Sequence, residues 1–150
     1  MAEEFKIELA KIEDMKNVFD LSNDELVRQN SFNQEKINWD NHQAWFQNKI
    51  NDENCIFYSV KSFENDFVGY VRLDNENDEW ILTIHLNQNY RGKGLGAKIL
   101  NKVIEINKTK KIIAFVKEKN LSSYHSFIKV GFKLRKLINK NSEKTYELEN

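Results

Sequence analysis

Between Tyr90 and Leu100 the chain reads YRGKGLGAKIL, with glycines at positions 92, 94 and 96 and cations at Arg91, Lys93 and Lys98. Glycines let a ligand approach the main chain without interference from Cβ, and the residues that follow have a helix's apolar spacing. A helix start presents unpaired N–H groups and about half a positive charge. The stretch Arg91, Gly92, Lys93, Gly94, Leu95, Gly96, Ala97 therefore suits an anion, phosphate above all. A plainer reading is a glycine-rich turn that only joins strand to helix, and the stretch alone leaves both open. Two other phosphate loops fit poorly. A P-loop places Lys-Ser/Thr at its last glycine, where Ala97 follows here, and the dinucleotide fingerprint needs G-x-G-x-x-G against this chain's G-x-G-x-G.

The elements that must position this turn follow from hydrophobic period. FKIEL (5–9) alternates and reads as a strand. From Lys11 to about Val27 apolar residues recur at helical spacing, and NHQAWFQNKI (41–50) sets His42, Trp45, Phe46 and Lys49 at helical steps. Three strand-like runs follow, CIFYSV, FVGYVRL and WILTIHL, with the polar DNENDE (74–79) as a hairpin turn. GAKILNKVIEI is an amphipathic helix, KIIAFV a buried strand, and LSSYHSFIKV a helix stopped by Gly131. FKLRKLI and KTYELE finish the chain as strands. The order is β-α-α-β-β-β-α-β-α-β-β, an α/β chain with a mixed sheet and helices on both faces.

Composition narrows the partners. The 150 residues suit one domain spanning 1–150, and no linker or internal repeat divides them. Lys plus Arg and Asp plus Glu stand at 23 each, so no basic excess points to nucleic acid. No apolar stretch approaches the ~20 residues of a membrane span, and MAEEFKIELA is unlike a secretory signal. The expectation is a cytoplasmic protein, monomer or homodimer, that needs no metal. Cys55 stands alone and pairs with no other cysteine in the chain.

Arg91-x-x-Gly94-x-Gly96 resembles the acetyl-CoA pyrophosphate motif, R/Q-x-x-G-x-G/A, of the GNAT N-acetyltransferase superfamily. One helix and one strand later, NLSSYHSFIKVGF resembles that superfamily's second signature at Asn120, Ser123, Lys129, Gly131 and Phe132. The two motifs occur in order, and the likeness runs well from Val68 to Phe132. It implies an acyl-CoA N-acyltransferase fold with a splayed central strand pair, the strand ending at Leu86 and KIIAFV. It further implies acetyl-CoA as cofactor, its pantetheine arm alongside Leu86, Asn87 and Gln88 and its diphosphate on the amides of 91–97. Asn120, Phe127 and Lys129 would line the same cofactor. Asn120 also reads as a helix N-cap, and Lys129 as a complement to its helix's dipole.

The implied chemistry is attack of an amine on a thioester. It needs a base for the amine, a donor for the developing oxyanion, and a fate for the thiolate. A backbone N–H near Leu86 would serve as donor, and loss of one such donor costs ~3 kcal/mol. EWILTIHL puts Glu79, Ile81, Thr83 and His85 on one face. Ile81 stands where many relatives carry Glu, which leaves Glu79 and His85 as candidate bases; an imidazole of pKa about 6.5 suits proton removal near neutrality. Phe127 occupies the usual position of a tyrosine acid. Tyr124 lies one turn earlier and is the candidate acid. A thiol pKa of about 8.5 makes the acid's contribution modest. Cys55 as an acyl carrier is a further possibility, but the resemblance favours direct transfer.

The acceptor is read from the N-terminal half. VRQNSFNQEKINWDNHQAWF resembles a subgroup that carries V-R-x-x-S…I…H-x-x-W-F and accompanies pseudaminic-acid-type sugar pathways. That resemblance implies Arg28, Ser31, His42, Trp45 and, from the neighbouring strand, Arg72 as residues for a nucleotide-linked aminosugar. Paired arginines would hold phosphates and a tryptophan would stack on a ring, although Trp45 also reads as packing. Two alternatives stand beside this small-molecule amine acceptor: an enzyme acting on protein α-amines, and a non-catalytic acyl-CoA-binding module.

Overall fold

The computed structural model describes residues 4–150. Among the described residues, seven strands and five α-helices follow in the order β1 (Lys6–Leu9), α1 (Met15–Ser22), α2 (Glu25–Asn30), α3 (Trp39–Ile50), β2 (Cys55–Lys61), β3 (Phe67–Glu76), β4 (Glu79–Leu86), α4 (Leu95–Ile106), β5 (Lys111–Lys117), α5 (Leu121–Lys129), β6 (Lys133–Lys140) and β7 (Glu143–Glu149). The strands form one sheet in the order β1-β2-β3-β4-β5-β7-β6. β4 and β5 run parallel, while β1/β2, β2/β3, β5/β7 and β6/β7 are antiparallel. The sheet is mixed because α4 carries the chain over from β4 to its parallel neighbour. Two compact units make up the chain: residues up to Asp74 with Thr83–Asn89, and Asn75–Leu82 with Tyr90–Asn150.

In the first unit, Met15, Val18, Leu21, Val27, Phe46, Phe57 and Tyr70 form the core. The single helix expected from Lys11 to Val27 is three pieces, a 3-10 turn at Ile12–Asp14, then α1, then α2. Apolar spacing continues through the break, but Asp24 interrupts the backbone. Its carboxylate accepts from Val27 N–H at 3.2 Å, a cap worth ~1 kcal/mol, and so starts a new helix. Asn23 fastens the break to the following loop, donating to the Ile37 carbonyl at 3.0 Å and accepting from Ile37 N–H at 2.7 Å.

Within the second unit, α4 buries Leu95, Ala97, Ile99, Leu100 and Val103, and β5 buries Ile112, Ile113, Ala114 and Val116. The hairpin between β3 and β4 is tighter than DNENDE suggests. β3 runs on to Glu76, and the turn is Asn77–Asp78, with φ of +53° and +66°. Both being left-handed, they make the I′ geometry that matches strand twist. The parallel ladder pairs Glu79 with Lys111, Trp80 with Ile112 and Ile81 with Ile113. β5 continues to Lys117 paired with β7.

Candidate active site

In the second unit, α4 begins at Leu95 behind Gly94, which sits in the left-handed region at φ +74° and offers no side-chain cap. Gly92 has the same φ, and a Cβ at either position would meet nothing within 4 Å. Glycine is therefore demanded there by backbone conformation and not by crowding. The first turn of α4 holds no acidic residue. Most helices place Asp or Glu there against the dipole; here no side chain caps the amides after Gly94. Leu95 and Ala97 point into the core, Gly96 and Arg91 are half-buried, and Lys93 is exposed.

α5 holds the second motif. Asn120 caps it, accepting from Ser123 N–H at 3.3 Å. Phe127 is 2% exposed and packs edge-on against Phe132 at 5.0 Å, so its place is in the core of the unit. Lys129 is exposed in the last turn. Tyr124 lies against Tyr146 with ring centres 4.5 Å apart. Glu79 is held by Arg135, whose Nη1 donates to it at 2.6 Å, a partner 56 residues away that the strand pattern could not show.

The first unit holds the end of β4. β3 presses closely on it at Gly69, where a Cβ would lie 2.2 Å from the His85 carbonyl oxygen and 3.0 Å from Leu86 Cα. Asn87 extends the fastening: its N–H donates to the Val68 carbonyl at 2.8 Å and its side chain to the Phe67 carbonyl at 2.7 Å. Gln88 is exposed at the start of a 3-10 turn. His85 meets the Tyr70 ring edge-to-face at 5.4 Å. Tyr70, buried in the core, shares a hydrogen bond of 3.0 Å with buried Ser22.

Elsewhere in that unit, the residues read from the sequence as acceptor contacts fall in different places. Arg28 turns its donors to the chain: Nε to the Ser22 carbonyl at 2.7 Å, Nη1 to the carbonyls of Asn33 and Glu35, and Nη2 to Ser31 Oγ. Burial lowers its pKa, with Tyr70 opposing. Ser31 Oγ donates to the Val27 carbonyl at 2.6 Å. His42 is 1% exposed among Phe19, Trp39, Trp45 and Phe46, with Nε2 on the Met15 carbonyl at 3.0 Å. Trp45 lies under the Arg72 guanidinium at 5.0 Å. Arg72 and Lys49 both reach Asp74 at 2.7 Å. Burial would raise the Asp74 carboxyl, but the two cations outweigh it and hold it below the usual range.

A family model described as "Acetyltransferase (GNAT) domain" matches residues 5–133. This chain is a GNAT acetyltransferase. Among curated proteins it is 30% identical over 105 residues to the spermine/spermidine N(1)-acetyltransferase of Bacillus subtilis (strain 168), covering 60% of this chain and 69% of the relative. The spermidine N-acetyltransferase of Vibrio cholerae, solved in complex with CoA and spermine, superposes with a TM-score of 0.88 over 98% of this chain and 95% of that one. A dodecameric form of that Vibrio cholerae enzyme gives 0.80 over 98% and 93%. At 16% and 18% identity these two show a shared fold.

The acetyltransferase thus uses acetyl-CoA to acetylate an amine. No helix among the described residues is long and apolar enough to cross a membrane. Burial and the neighbouring Asp74 push the Cys55 thiol up to about 12. Sequence reasoning missed Gly69, Tyr70 and Ser22. Their partners lie far along the chain, and a glycine inside FVGYVRL was the one available sign of close backbone approach.

The acetyltransferase also divides its charge. Of its 23 acidic residues, 15 fall at positions 1–74, against 8 of its 23 cations, and positions 83–89 hold neither. The first unit is therefore at −7. The second carries 8 acidic residues and 15 cations, a net +7.

Proposed function

We propose that this acetyltransferase modifies a small aliphatic polyamine of the spermidine or spermine class. The observation that carries the reading is a net charge of −7 on the first unit and of +7 on the second. A polycation is drawn to the first and the phosphates of CoA to the second. Two further facts support it. The curated relative is named for spermine and spermidine. Arg28, which a sugar nucleotide's phosphates would need, has Nε, Nη1 and Nη2 engaged within the chain.

Acetyl-CoA, when bound, supplies an activated thioester carbonyl. The backbone amides of 91–97 hold its diphosphate, with Arg91 and Lys93 adding charge. His85 accepts the proton of the incoming ammonium group, so that the nitrogen lone pair attacks the carbonyl carbon. An N–H at the end of β4 near Leu86 stabilises the developing oxyanion. The C–S bond breaks with its electron pair on sulfur as the nitrogen releases its second surplus proton to solvent and becomes a neutral amide; Tyr124 is the candidate donor of a proton to the thiolate and regains one from solvent.

An aminosugar acceptor remains the second reading, favoured by Arg72 stacked on Trp45. Thiol release from acetyl-CoA with a panel of amines decides between them. The polyamine reading expects kcat/KM for spermidine and spermine at least tenfold above that for a nucleotide-linked aminosugar or a peptide α-amine. Equal or reversed preference would overturn it.

A further inference from the structure

We propose that Tyr70 is a positioning residue for His85, fixed in turn by Ser22 and Arg28, so that the loop 31–37 and the imidazole are set by one continuous array. The proposal rests on the reading of His85 as the base.

The array is built entirely from one unit. The loop's Asn33 and Glu35 carbonyls accept from Arg28 Nη1 at 2.8 and 3.0 Å. Arg28 Nε donates at 2.7 Å to the carbonyl of Ser22, the last residue of α1. That carbonyl is one of those a helix end leaves without an intrahelical partner, so the guanidinium terminates α1 and ties down the loop at once. Ser22 Oγ lies 3.0 Å from Tyr70 Oη, and Ser22 and Tyr70 are 4% and 3% exposed. With its ring in the core and its hydroxyl anchored, Tyr70 has one orientation. The His85 ring stands edge-to-face on it, centroids 5.4 Å apart at 69°, an arrangement that selects the plane of the imidazole. Asn23 secures the loop's far end at Ile37. A change at the loop therefore reaches His85 through hydrogen bonds and one ring contact.

The proposal explains two features that packing alone leaves unaccounted for. A buried Tyr–Ser hydroxyl pair would be dispensable in a core whose other members are Met15, Val18, Leu21, Val27, Phe46 and Phe57. An arginine with two of its nitrogens engaged on one short loop and the third on the end of α1 is a strong investment in that loop's shape.

The test compares Tyr70→Phe, which keeps the ring and removes the hydroxyl, with Ser22→Ala, the double variant, and His85→Gln. The readouts are kcat and KM with spermidine and acetyl-CoA, and the His85 imidazole NMR shifts. Tyr70→Phe and Ser22→Ala should each lower kcat about tenfold, leave KM for acetyl-CoA in place, and move the His85 resonances. The double variant should lose no more than either single one, since each breaks the same bond. Unmoved His85 resonances in both single variants would overturn the array, as would additive losses. His85→Gln judges the base assignment separately. If it keeps wild-type kcat while Tyr70→Phe still shifts the His85 resonances, the base reading fails and the array stands.

Discussion

Replacing Gly69 with alanine tests the geometry at the end of β4 more sharply than any catalytic-residue knockout. The added Cβ would sit 2.2 Å from the His85 carbonyl oxygen, where ordinary contact begins at 3.4 Å. The obstacle is main chain, so no side chain can swing aside. β4 must retreat by roughly 1.2 Å at His85 and Leu86, the difference between those two distances. Overpacking of this kind costs ~1–3 kcal/mol, and in a chain of this size each kcal/mol lowers Tm by ~2–4 °C. Displacement of a reacting group by ~1 Å costs about 10²-fold in rate. Gly69→Ala should therefore lower Tm by roughly 2–12 °C and kcat with spermidine about a hundredfold at a temperature where the variant is fully folded. Gly131→Ala is the comparison. Its φ of +101° makes alanine strained, but a Cβ there meets nothing within 4 Å, so Tm should fall while kcat holds. A folded Gly69→Ala enzyme with wild-type kcat would refute the placement of chemistry at the end of β4.

Three further outcomes follow from particular residues. Burial lowers the His42 pKa against the opposing pull of the Met15 carbonyl and Asp20, so the unfolded chain takes up a proton first as pH falls below about 6.5. Melting temperature should drop on acidification from pH 7 to 5, and the slope should flatten in His42→Phe; an equal slope would discharge His42 from that role. Cys55, raised to about 12, should resist alkylation at pH 8 in the folded protein and react once urea unfolds it, while Cys55→Ala retains turnover; prompt labelling of the native protein would contradict the protonated thiol. Gly94→Ala should cost ~1 kcal/mol of strain at its φ of +74° and weaken CoA binding by more than that, read by calorimetry; unaltered affinity would remove the α4 amides from the cofactor site.

The fold was legible wherever a local pattern set it. The three glycines before AKILNKVIEI marked both the left-handed turn and the start of α4, and alternation in FVGYVRL and WILTIHL marked β3 and β4. The break at Asn23–Asp24 was hidden because Phe19 and Leu26, seven residues apart, keep helical spacing across it, while the cap that makes the break depends on one carboxylate. Arg28 was legible as chemistry but not in its partners, since a guanidinium that suits phosphate equally suits carbonyls. Glu79 meeting Arg135 and Tyr70 meeting His85 are long-range outcomes of the sheet, beyond any short window of sequence. The charge division was present in the residues all along. Averaging over 150 positions cancelled it, and only the grouping of the chain into units exposed it.

The account stands or falls on the amine. With acetyl-CoA limiting and equal concentrations of spermidine and a nucleotide-linked aminosugar present, mass spectrometry of the products reads the choice in one reaction. Monoacetylated spermidine as the dominant product, falling off as added salt screens the acidic unit, is the predicted result. Acetylated aminosugar in excess, or a spermidine yield indifferent to salt, would contradict it.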